Sequence, residues 1–320
     1  MKMLIVGSGI VGQATGIGML EKNHEVIFVD INVQVVRTLG AQGYNSFLMS
    51  DLLKTEVPAD IDAVMVCIST PPGEDNGEVD LRYISSGMGS VGKILSLQKK
   101  WPLVVVRSTV PPTATDKILI PLMEKYSGKI AGVDFGVCFN PEFLRARSST
   151  EDFRHPWATV IGELDKRSGH VLEEAYRPFG GERFRTTIVE AELIKYINNL
   201  RNALVISFSN EIWLLAREIG LDANPALEIA THTSESAWNS HYGCVGGQAY
   251  GGSCLPKDTV GLLRFAQEHG VEMPMLSAMI KVNQTLEGLA SDGIVPPAQI
   301  EGHKWAPSPT ISEKEWGIER

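Results

Sequence analysis

Apolar residues in the first half of the chain gather in short unbroken runs: MKMLIVG at the start, then HEVIFVD (24–30), DAVMVCIST (62–70), PLVVVRSTV (102–110) and FGVCFNPEF (135–143). Continuous runs, rather than strict alternation, suit strands covered on both faces. Stretches of helical pattern separate them, the first over 10–22, so the spacing predicts βαβ units and a parallel sheet. The second half changes period. Ile194, Ile197, Leu204, Phe208, Leu215 and Ile219 recur at three- and four-residue intervals, predicting one long amphipathic helix over 190–219 that ends at Gly220. A helical stretch near 227–232, a glycine-rich loop, and helices over 258–269 and 277–289 follow. From Gly293 onward, Pro296, Pro297, Pro307 and Pro309 interrupt any periodicity. The expected fold is α/β: a Rossmann-like doubly wound parallel sheet over 1–185, then an all-helical domain over 186–292 built on the long helix, then an unstructured tail over 293–320.

Composition narrows the functional classes. The 320 residues are 43% hydrophobic and 21% charged, enough apolar material for a sizeable core. Twenty-nine Lys and Arg against 38 Asp and Glu leave a net charge of −9. That argues against nucleic acid or an anionic membrane as the main partner, while allowing a local basic pocket for a phosphorylated small molecule. Four cysteines do not make a disulfide scaffold. Residues 3–20 carry no charge, but Gly7, Gly9, Gly12, Gly16 and Gly18 break the run, which fits a strand, turn and helix better than a signal or membrane anchor. A cytoplasmic setting is expected.

The first chemical signal is GSGIVG (Gly7–Gly12), a G-x-G-x-x-G pattern between a strand and a helix, with Asp30 closing the next strand. Gly7 permits the tight turn, Gly9 lets a pyrophosphate approach the backbone, and Gly12 lets helix and strand pack. The helix N-terminus, with Ile10 and Val11, offers unpaired N–H groups to phosphates. Asp30 would accept hydrogen bonds from a ribose and repel a 2′-phosphate, favouring NAD over NADP. The second signal is YGGSCLPKD (Tyr250–Asp258), where glycines leave room around Cys254, a candidate nucleophile beside Lys257.

Taken with CISTPP (followed by Gly77 and Asp80), RSTVPPTATD, NPEFLR, AELIKYINN, SNE and KVNQ, these motifs stand in an order that resembles the UDP-glucose/GDP-mannose dehydrogenase family from Met1 to about Leu289. The resemblance implies oxidation of the primary alcohol of a nucleotide sugar to a carboxylate, with two NAD consumed in succession and a cysteine thioester on the way. It implies Cys254 as nucleophile, Lys195 and Asn199 as stabilisers of the developing oxyanion, and Asp258 as a carboxylate handling water or protons. Thr109 and Glu142 would position or activate water. By the same motifs Ser69, Thr70 and Thr109 join the cofactor site, and Glu142, Phe143, Leu144, Lys195, Tyr250, Gly251 and Lys257 the substrate site. The family's long helix mediates dimers, so a homodimer is implied.

Read alone, Lys195 and Asn199 fit a solvated helix face as well as a site. Cys67 and Cys138 sit within apolar runs and read as core. His241, Cys244 and Cys254 lack the paired spacing of a zinc site, and no metal is expected. The chain departs from the family's pattern in three ways. It ends about where a third, nucleotide-binding-like domain is expected. Ala146 stands where a second carboxylate is usual, and the stretch from Asp30 to Cys67 is short. The loop before Cys254 also lacks the arginine common in the UDP-glucose branch, and SCLPKD leans towards the GDP-mannose branch. The alternatives are a non-catalytic NAD-binding remnant or subunit that needs a partner chain, and a two-electron β-hydroxyacid dehydrogenase that needs no cysteine.

Overall fold

A computed structural model of the chain describes residues 1–54, 57–73 and 78–293. Gly77 and the proline-rich stretch beyond Gly293 lie outside the described residues. Two compact units divide the chain, Met1–Asn199 and Leu200–Arg320.

In the first unit, strands and helices alternate: β1 (Lys2–Val6), α1 (Ile10–Glu21), β2 (Glu25–Asp30), α2 (Val33–Ala41), β3 (Ser46–Leu48), α3 (Met49–Leu52), β4 (Ala63–Val66), α4 (Arg82–Ser96) and β5 (Leu103–Val106). A π-helical turn (Thr115–Leu119) then leads into α5 (Ile120–Ser127), followed by β6 (Gly136–Phe139), α6 (Ser149–Arg154), β7 (Ala158–Glu163), α7 (Lys166–Tyr176) and β8 (Glu182–Thr187). The eight strands form one sheet in the order β3-β2-β1-β4-β5-β6-β7-β8. The order reverses beside β1, and helices cover both faces, as a doubly wound fold requires. Strand periodicity explains the two layers. Leu4, Val6, Val64, Val66, Val104 and Val106 face α4 and α5, where Met88, Val91, Leu95 and Met123 meet them. Met3, Ile5, Met65 and Val105 face the other way, towards Met19 of α1 and Leu172 and Ala175 of α7.

Two features depart from the sequence expectation. Strands β3, β7 and β8 extend the five expected ones. The sheet is also not wholly parallel, because β7 runs antiparallel to β6. The chain leaves β6, makes the short helix α6 and re-enters the sheet without crossing to the far end, so the pair is antiparallel. α7 then supplies the crossover that makes β7 and β8 parallel.

Helix α8 (Ile188–Glu218) begins in the first unit and continues into the second. Its start is a capping box, Thr187-x-x-Glu190. The Thr187 hydroxyl accepts from the Glu190 amide at 3.3 Å, and the Glu190 carboxylate accepts from the Thr187 amide at 3.0 Å. Gly220, at φ 76°, follows its end. The second unit continues with α9 (Ala223–Thr233), α10 (Glu235–Trp238), α11 (Leu255–Glu268) and α12 (Pro274–Ser291). A small core of Leu215, Ala266, Met273 and Leu276 holds it. The buried Glu211 carboxylate of α8 accepts the Met275 and Leu276 amides at 2.7 and 3.0 Å, satisfying the first turn of α12. Helix α11 starts three residues before the expected 258 because Cys254 itself occupies the capping position.

Candidate active site

A cleft of about 1090 Å³ opens in the first unit at the carboxyl ends of β1, β2, β4 and β5, the place where open α/β sheets bind ligands. Of the expected cofactor residues, Gly7, Gly9, Ile10, Val11, Asp30, Ser69, Thr70 and Thr109 line it. Gly12 does not line it; its role is contact. A Cβ on Gly12 would stand 2.0 Å from the Gly7 carbonyl oxygen, so only glycine lets α1 meet the turn. Gly7, at φ 87°, takes the turn itself. At Gly9, among the described residues other than its chain neighbours, no atom lies within 4 Å of where a Cβ would stand, so the backbone is bare towards the cleft. Gly9 caps α1 without any side-chain bond, and no acidic residue occupies the first turn. The first N–H groups therefore stay free for an anion. The Asp30 carboxylate is held in place by the Ser8 amide at 2.6 Å and the Asn32 amide at 2.8 Å.

Glu142 and Asn199 line the same cleft. Lys195 is 5% exposed, so the solvated-face alternative fails for it. Its ammonium donates to the Glu142 carboxylate at 2.8 Å and to the Glu142 backbone carbonyl. The other Glu142 oxygen accepts the Leu144 amide at 2.7 Å. Both oxygens are thus engaged, and the loop 140–144 is pinned to the first turns of α8. The Lys195 ammonium also lies 5.7 Å from the Phe143 ring centre. Phe143 and Leu144 themselves pack against the cores of the two sheet faces rather than lining the cleft. Thr109 presents its carbonyl to the Thr70 hydroxyl at 2.7 Å.

Arg107 is a lining residue that the sequence reading misses. It is buried, donates to the Asn140 side chain and to the Tyr176 hydroxyl at 2.5 Å, and lies over the Phe153 ring. Burial pushes the neighbouring Cys67 thiol up to about 11, and the Cys138 thiol is raised by the same cause. Both stay neutral core thiols, as expected from their apolar runs.

Cys254, Tyr250, Gly251, Lys257 and Asp258 belong to the second unit. Cys254 is exposed, and its carbonyl accepts the Asp258 amide at 2.8 Å, the first bond of α11. The Asp258 carboxylate pairs with Lys257 on the surface. The loop before them is anchored by a residue with no role assigned from sequence. Asn283 of α12, in the KVNQ motif, accepts the Tyr250 amide at 2.6 Å and donates to the Tyr250 carbonyl at 3.1 Å. Only its place within a shared motif signals it in the sequence. Among the described residues, no group of three His, Cys, Asp or Glu is arranged to hold a metal ion, and no helix is long and apolar enough to cross a membrane.

The sheet order, the bare glycine turn and the anchored Asp30 define a Rossmann-like dinucleotide-binding site. Comparison with known proteins makes this specific. The sequence model of the UDP-glucose/GDP-mannose dehydrogenase family, NAD binding domain, matches residues 1–180, and that of the family's central domain matches 189–285. GDP-mannose 6-dehydrogenase of Pseudomonas aeruginosa is 36% identical over 301 residues, covering 88% of this chain and 68% of that protein. A ternary complex of GDP-mannose dehydrogenase from that organism superposes with a TM-score of 0.84 at 36% identity, over 92% of this chain and 71% of the other. A UDP-glucose 6-dehydrogenase from Haloferax volcanii is 31% identical, over 88% of this chain and 69% of its own length. The chain belongs to the UDP-glucose/GDP-mannose dehydrogenase family. Its cofactor is NAD, and the cleft fits it: Gly9 leaves space for a pyrophosphate against free amides, and Asp30 stands ready for a ribose.

Proposed function

We propose that this chain is a nucleotide-sugar dehydrogenase that oxidises the primary alcohol of a GDP-mannose- or UDP-glucose-type substrate to the uronic acid. The observation carrying the reading is one cleft holding both a dinucleotide turn and the pair Glu142 and Asn199, in a chain of this family. We take residues 1–185 as the NAD-binding domain and 186–292 as the helical domain; the matches over 1–180 and 189–285 support that division.

Two NAD, bound one after the other, would each accept one hydride. The chain's residues handle everything else. The Cys254 thiol adds to the carbonyl carbon of the aldehyde, forming a C–S bond while the carbonyl oxygen takes a proton. Loss of the second hydride from the carbon of that thiohemiacetal, and of the proton from its hydroxyl, leaves a thioester. Water then attacks, the C–S bond breaks, the thiol recovers its proton and the carboxylate departs. Lys195 and Asn199, one helical turn apart, stabilise the oxygen that becomes negative. Glu142 and Thr109 position the water, and Asp258 exchanges protons with it. Tyr250, Gly251 and Lys257 shape the substrate's surroundings, while Phe143 and Leu144 back the 140–144 loop from the cores. The exposed apolar run Leu200, Leu204, Val205, Ile206 and Phe208 on α8 supports a homodimer formed through that helix.

Counting NADH formed per sugar consumed, over a panel of nucleotide sugars, tests the reading. Two NADH per sugar, abolished in Cys254→Ser, is the expected result. One NADH, unaffected by that substitution, would make the chain a two-electron dehydrogenase. No NADH with NAD binding intact would make it a non-catalytic subunit.

A further inference from the structure

The loop after β5 forms one wall of the cleft through Arg107, Ser108 and Thr109. It then runs through two prolines to Thr113, whose φ is 78°. A β-branched residue is strongly disfavoured there and stays only if its surroundings hold it. What holds it is Glu192. This carboxylate is fully buried and accepts the Thr113 amide on one oxygen at 2.6 Å and the Thr115 amide on the other at 2.8 Å. None of the salt bridges among the described residues involves it. A buried carboxylate without a counter-cation costs free energy that an apolar side chain of the same size would not. Its two amide bonds give that arrangement a purpose: they fix the far end of the loop, while Thr70 fixes the near end at Thr109. Glu192 also stands one helical turn before Lys195, which grips the 140–144 loop. The opening turns of α8 thus hold two walls of the cleft.

We propose that Glu192 is a positioning residue for the cofactor site: by accepting the Thr113 and Thr115 amides it keeps the 107–113 loop in its binding shape and so sets the affinity for NAD. The proposal rests on NAD occupying this cleft.

The test is calorimetric titration of the full chain with NAD, in wild type, Glu192→Gln, Thr113→Gly and the double variant. Glutamine keeps the volume but turns an N–H donor towards one of the two amides. E192Q is expected to weaken NAD binding about tenfold, the effect of roughly one hydrogen bond to a charged acceptor. Thr113→Gly alone should bind within about twofold of wild type, because glycine adopts positive φ without strain. If Glu192 acts by holding Thr113, glycine at 113 should bring the double variant to within about threefold of T113G. A residue that merely fills the core would show no such rescue. E192Q binding as wild type does, or a double variant binding no better than E192Q, overturns the proposal. Should E192Q not fold, a double variant that folds and binds like T113G supports it, and one that stays unfolded overturns it. A wild-type chain that takes no NAD would remove the cofactor reading itself, a failure visible before any variant is compared.

Discussion

Alanine at Gly9 and alanine at Gly12 separate two roles of the glycine turn. At Gly12 the added Cβ meets the Gly7 carbonyl oxygen at 2.0 Å, a backbone atom with no rotamer to escape into. Relief needs a main-chain shift of the order of 1 Å within a close-packed layer, which should cost more than about 3 kcal/mol. Against a typical total of about 5–15 kcal/mol, that loss is large. At Gly9 the Cβ meets nothing within 4 Å among the described residues other than its chain neighbours, and φ is −73°, so alanine fits the backbone. The lost capping preference and the gained chain stiffness roughly offset, and stability should change by less than about 1 kcal/mol. The methyl instead projects into the cleft and holds a phosphate off the amides. One lost charge-assisted hydrogen bond, about 1.5–3 kcal/mol, corresponds to a roughly ten- to hundredfold weaker NAD complex. Urea melts give the first quantity and calorimetric titration the second. A Gly9→Ala protein with wild-type NAD affinity would refute the assignment of this turn as the phosphate cradle. A Gly12→Ala protein with a wild-type melt would refute the packing argument.

Three other expectations are as direct. The three bonds from Thr186 and Thr187 hold the Glu190 carboxylate down to about 2, below its unfolded value near 4.5. Its stabilising effect is therefore complete above about pH 4.5 and fades as pH falls towards 2; the Tm gap between wild type and Glu190→Gln should narrow over that window and persist at neutral pH. Iodoacetamide at pH 8 should label the exposed Cys244 and Cys254 in the native protein but reach the buried Cys67 and Cys138 only after unfolding, as peptide mass spectrometry would show. Asn283→Ala releases the Tyr250 backbone; turnover should fall by about tenfold or more because the Cys254 loop loses its register, while calorimetric NAD affinity stays as in wild type.

Local signals carried much of the architecture into the sequence. The glycine turn, the apolar strands and the long helix each depend on neighbours within a few residues, and each is where its pattern places it. Strand β8 is not legible, because ERFRTT lies at the sheet's edge, every residue is exposed or only partly covered, and its charged residues leave no apolar run. β3 is three residues long. The reversed direction of β7 follows from how the chain returns to the sheet, which no run of residues states. In the cleft, chemistry-bearing residues are legible through their motifs, but their partners are not. Lys195 reads as surface until Glu142, 53 positions away, is seen to bury it. Glu192 looks like one more helix acid until its bonds to amides 79 and 77 positions back appear.

The border between the two compact units, Asn199 to Leu200, falls inside α8 rather than in a linker. Severing the chain there would strand roughly four carbonyls on one fragment and four amides on the other. It would also part the capping box and Glu192 from Glu211, so each fragment would inherit half of a helix nucleated or anchored by the other. Proteases that hunt for extended loops would find none at this point. Anyone wishing to express the units separately must give each its own copy of the helix, and recombination between relatives at this seam would have to exchange α8 whole.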